Sequence, residues 1–77
     1  MTCEELRVKL RELRKCEADL KEKISETQSY MWSISDYASL DDKYDAAAKR
    51  CRELEGELKK TRAKRRKIAK AMEEQGC

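Results

Sequence analysis

The 77-residue chain is 45% charged and 39% apolar, with no proline, phenylalanine or histidine and a formal charge of +3. That length leaves room for one small domain, and the mixture of Ala, Glu, Lys, Leu and Arg is that of a coiled coil or a long helix. The missing histidines remove the commonest catalytic base and metal ligand. No run of about 18 apolar residues is present to cross a bilayer.

The first element is a helix over residues 3–32. Thr2 stands as its N-cap with Glu5 three places on, the spacing of a capping box, and Glu4 and Glu5 suit the positive end of the helix dipole. Its apolar beat alternates steps of three and four: Cys3, Leu6, Leu10, Leu13, Glu17, Leu20, Ile24, Thr27, Met31 and Ile34. Such a stripe is narrow and is buried only against another helix.

Between residues 33 and 40 the composition shifts to Ser, Asp and Tyr, and the beat slips by one residue. A turn is expected there. Ser39 with Asp42 forms a second capping-box pattern and Ser33 with Asp36 an alternative one. The second helix is expected over about 40–75, with Asp41, Asp42 and Asp45 at its start and Gly76 at its C-cap. Its stripe runs through Tyr37, Leu40, Tyr44, Ala47, Cys51, Leu54, Leu58, Thr61, Arg65, Ile68 and Met72.

The two stripes are near mirror images about residue 39. The expected fold is therefore all-α: one antiparallel helical hairpin, a two-helix coiled coil that completes a four-helix bundle by oligomerisation or partner binding. One continuous helix of about 70 residues is the competing architecture, because no Gly or Pro forces a break. If facing positions sum to 78, Leu6 meets Met72, Leu10 meets Ile68, Leu20 meets Leu58 and Ile24 meets Leu54. Leu13 and Met31 complete the seam. The polar exceptions fall in neighbouring layers, Leu13 opposite Arg65 and Glu17 opposite Thr61. Glu17 and Arg65 are thus placed to form an interhelical ion pair, of the kind that sets register more than it stabilises.

The cysteines do not read as a disulfide framework. Cys3 and Cys51 lie on the stripe as small hydrophobes. In the hairpin register Cys16 and Cys51 stand about 16 Å apart along the axis, beyond the reach of a bond. Cys3 and Cys77 meet at the open end, but a reducing, cytoplasmic setting is expected to keep them as thiols. No signal-peptide core follows the N-terminus, which supports that setting, although export by a signal-less route stays open.

Nothing points to an enzyme or to a cofactor. There is no Gly-rich phosphate loop and no closely spaced cysteine pair for zinc. A cysteine nucleophile would find only lysines as its activating neighbours. Three features carry binding potential instead. Lys59, Lys60, Arg62, Lys64, Arg65, Arg66, Lys67 and Lys70 give eight cations in twelve residues without an acid among them, a candidate anion or nucleic-acid contact. The plain alternative is a solvated face partly neutralised by Glu12, Glu17 and Asp19 of the opposing helix. All four aromatic residues, Tyr30, Trp32, Tyr37 and Tyr44, cluster about the turn. Tyr37 and Tyr44 fall on the seam, where they would cap the core, whereas Tyr30 and Trp32 fall off it. Together the four form the candidate outer interface, since Trp and Tyr are favoured docking anchors. Alanines near the second stripe, such as Ala46, Ala48, Ala63 and Ala71, let a further helix approach closely, and helix propensity explains them equally well.

The function expected is a non-enzymatic protein–protein interaction module acting through helix–helix association, as an adaptor, chaperone-like subunit or inhibitor. Its partner is a second copy or another helical protein. The alternatives are a nucleic-acid-binding bundle using residues 59–70 and an accessory protein of a bacterial secretion system.

The last alternative rests on a resemblance. A hairpin with Trp32 at its bend resembles the small helical proteins of type VII secretion systems, whose bend motif is Trp-x-Gly. Here Ser33 and Ile34 follow the tryptophan and the glycine is missing. Tyr37-Ala38-Ser39-Leu40-Asp41 fits the Tyr-x-x-x-Asp export pattern of that group, but lies in the bend rather than in a tail. Comparable likenesses hold to hairpin chaperones of type III secretion and to plasmid RNA-binding hairpins that dimerise into four-helix bundles. None of these motifs spans the chain, and no family is assigned.

Overall fold

A computed structural model describes residues 1–36 and 40–77. It contains two helices, α1 (Cys3–Ile34) and α2 (Asp41–Glu74), packed against each other, and no strand among the described residues. The molecule is 57 Å long and about 14 Å across. A continuous helix of this chain would exceed 100 Å at about 1.5 Å per residue, so the straight-rod alternative is excluded.

The helix ends are built from particular side chains. At the start of α1, Thr2 Oγ1 accepts the Glu5 N–H at 3.2 Å, satisfying one orphan donor of the first turn. At its end, the Ser33 hydroxyl donates to the Tyr30 carbonyl and the Ser35 hydroxyl to the Trp32 carbonyl. The Trp32 carbonyl also accepts the Ser35 N–H at 3.4 Å, so both serines bond back onto the last turn of the helix. Ser33 thus belongs to α1, and the Ser33–Asp36 capping box does not form. The N-cap of α2 is Leu40, which makes no side-chain capping bond. The Ser39 cap, like Tyr37, lies outside the described residues. The dipole of α2 meets Asp41 and Asp42 in its first turn.

Helix α2 closes in a Schellman turn. Gln75 is the C-cap, Gly76 takes a positive φ of 72°, and the N–H groups of Gly76 and Cys77 donate to the carbonyls of Glu73 and Met72. The turn brings Cys77 back to the start of α1, where it forms a disulfide with Cys3 across a Cα separation of 5.9 Å. The expectation of two free thiols is corrected here: antiparallel register and the glycine turn bring the sulfurs into bonding range. Cys16, exposed, and Cys51, buried, remain free.

The seam is thin. Leu20, Leu54 and Leu58 form the central apolar cluster with Ile24 packed on it, and Leu6 is the most enclosed side chain, 1% exposed. Ile34, Ala47 and Cys51 are buried towards the bend. Leu10, Leu13, Met31, Ile68 and Met72 are only half-buried. One helix covers one side of another, and nothing in a lone hairpin covers the flanks of the stripe.

Candidate functional site: two flanks and a basic belt

The seam holds two buried polar residues. Thr61 sits among the leucines with its hydroxyl donated to the Glu57 carbonyl one turn back, so no donor is orphaned. Glu17 is 5% exposed, and Arg65 Nε lies 3.2 Å from its Oε1. This is the interhelical pair expected from the register. Its alignment is poor: Glu17 Oε1 accepts no hydrogen bond from any neighbour. The attraction is therefore mainly coulombic, and the carboxylate is incompletely compensated.

Cys51 is buried three layers further towards the bend, beyond Leu58 and Leu54. Its thiol donates to Glu55 Oε1 at 3.7 Å. Burial, the Glu55 charge and the Glu55 hydrogen bond push its pKa up, while Gln28 opposes them. Cys51 is consequently held as a thiol, the inert state of cysteine.

The aromatic residues do not make one patch. Trp32 is 82% exposed and shares an open groove with Gln28, Met31, Ser35 and Tyr44 on one flank of the bend. Tyr30, 45% exposed, lines a different groove with Lys43, Ala46, Ala47 and Arg50. Tyr44 is 37% exposed and does not cap the core as its stripe position suggested.

The cations are likewise distributed. Lys59 and Arg62 share a groove with Lys21, Ile24 and Glu55. Lys64 and Lys67 meet Lys9, Glu12 and Cys16 over a floor of Leu13 and Ile68. Seven of the eight cations of 59–70 are exposed, and Arg65 is the half-buried exception. Among the described residues Glu17–Arg65 is the one ion pair within 4.0 Å. Glu17 pairs with Arg65, Glu12 lines the groove of Lys64 and Lys67, and Asp19 makes no ion pair, so the run is a largely solvated face that three acids of α1 neutralise only in part.

Among the described residues no group of three or more Cys, Asp and Glu side chains is arranged to hold a metal ion. Among the described residues no helix is long and apolar enough to cross a membrane. Comparison with known protein families, with curated proteins and with solved structures found no match.

Proposed function

We propose that this hairpin is a non-enzymatic protein–protein interaction module that works by helix–helix association. The observation that supports this reading most directly is Trp32, the largest apolar side chain of the molecule, standing 82% exposed beside Met31 and Tyr44. Exposed tryptophan in an apolar groove is the composition of an interface anchor. The half-buried flanks of the seam add apolar surface that a second hairpin would cover. A four-helix bundle, with a second copy or with another helical protein as adaptor, chaperone or inhibitor, is the arrangement that buries both.

The cytoplasm is the setting we assign. There the reducing pool would open the Cys3–Cys77 bond, so alkylation of the protein taken from cells, followed by mass measurement, should find both thiols free, and an intact bond overturns the assignment.

Light scattering coupled to size exclusion tests the association. Self-association gives twice the 9.1 kDa chain mass, a blue-shifted Trp32 emission, and dissociation on Trp32→Ala. A 9.1 kDa particle with solvated indole emission at about 100 μM, well above the ~1 μM of a modest complex, removes the homomeric form. Photo-crosslinking from position 32 in cells then has to return a helical partner, or the reading fails.

A further inference from the structure

We propose that the middle of the hairpin is a composite phosphate-binding belt, drawn from both helices, that holds the backbone of duplex nucleic acid without reading its sequence. The belt is independent of what the aromatic groove at the bend binds.

Folding sets residues 8–19 of α1 alongside residues 59–70 of α2, as the Glu17–Arg65 pair and the shared groove of Lys9, Lys64 and Lys67 require. These two segments hold twelve cations and three carboxylates, a net of +9 within a chain of +3. The remaining charge is acidic and lies at both ends. The open end (residues 1–7 and 71–77) carries −3, and the bend half (20–58) carries −3. One of the three belt carboxylates is taken up by Arg65, and no other pair forms among the described residues. A field of one sign and this strength is not required by a seam that the leucines already hold.

The ligand class follows from the belt's shape and lining. At helical spacing Lys60, Lys64 and Lys67 share one face of α2, and Lys9 reaches the same groove from α1. The belt is about 17 Å long at 1.5 Å per residue. That length spans the major groove of B-DNA, about 12 Å wide, and reaches phosphates on both walls. The acidic ends of the 57 Å molecule then project to either side of the duplex. On a flat anionic bilayer they would be pressed against the surface and repelled. No aromatic residue lies in the belt, so base stacking is absent and contact is to phosphate alone.

The test is anisotropy of a fluorescent duplex of about 20 base pairs with the full chain, titrated from about 50 to 200 mM NaCl. With five phosphates engaged, log K falls against log salt with a slope of about −4.5, an affinity loss of about 500-fold over that range. A second duplex of unrelated sequence binds within about threefold. Lys64→Glu/Lys67→Glu flattens the slope by about 2 and Lys9→Glu by about 1. Lys43→Glu/Lys49→Glu, the same charge change placed in the bend half at exposed positions away from the belt, leaves the slope in place. Circular dichroism confirms that these exposed substitutions stay helical. Absence of binding at the lowest salt overturns the proposal. So does equal loss in the belt and bend variants, which would signal net charge alone. Poly-glutamate competing as well as unlabelled duplex would also overturn it, by making the belt a surface for acidic protein.

Discussion

Glu17 shows how one residue can set an alignment at a cost in stability. Its carboxylate is buried, its partner is half-exposed, and one oxygen lacks a hydrogen bond. Removing Arg65 alone leaves that oxygen buried without its charge partner. Arg65→Met should therefore lower unfolding free energy by about 1–3 kcal/mol in urea titrations. Replacing both partners with leucine should restore the parental value or exceed it, because an apolar layer carries no desolvation cost. Cys51 makes the second residue-scale prediction. Burial and the Glu55 carboxylate raise its folded pKa above the ordinary thiol value of 9.0, so the folded state retains a proton that the unfolded state releases. Stability is then complete below pH 9 and falls as pH climbs through the folded value. Cys51→Ala should abolish that alkaline loss in denaturation curves recorded on either side of pH 9.

At the scale of the helix, Gly56 within α2 and Gly76 in the turn that closes it should respond with opposite signs. A Cβ at Gly56 meets nothing within 4 Å and φ is not positive, so Gly56→Ala should raise thermal stability by about 1 kcal/mol through propensity alone. Gly76 has equal space but a φ of 72°. Gly76→Ala should cost about 1 kcal/mol, unwind the Schellman turn and slow formation of the Cys3–Cys77 bond. The seam leucines make the heaviest contribution: Leu20→Ala or Leu58→Ala removes a third of the central cluster and should cost about 2–4 kcal/mol. Either variant melting like the parent would remove that cluster as the centre of the fold.

For the molecule as a whole, the disulfide joins the ends of a 74-residue separation. In the chain-entropy account, closing a loop of that size stabilises by about 4 kcal/mol. A lone two-helix seam is marginal by comparison. Reduction should therefore lower the melting temperature sharply in the monomer. It should do so far less in any bundle that covers the flanks, since burial against a second hairpin then supplies the missing stability. Comparing reduced and oxidised melts across protein concentration separates the two.

The hairpin was legible because a period of 3.5 residues leaves few options for the stripe it makes: Leu20, Leu54 and Leu58 have one place to go. The Glu17–Arg65 pair was legible for the same reason, since mirror symmetry about residue 39 fixes which layers meet. The alternative Ser33–Asp36 cap was misread because the Ser33 hydroxyl finds a nearer acceptor in the Tyr30 carbonyl. The aromatic cluster was misread because proximity in sequence does not say which flank of a helix a ring occupies. Tyr30 and Trp32, two residues apart, line different grooves. By itself the sequence determined that the chain is helical and which edge each half hides, because local propensity and apolar spacing are properties of one strand of chain. Only tertiary structure decided that Cys3 and Cys77 bond, and that cations fifty residues apart gather in one belt. Both depend on distances through space that the doubling back of the chain creates.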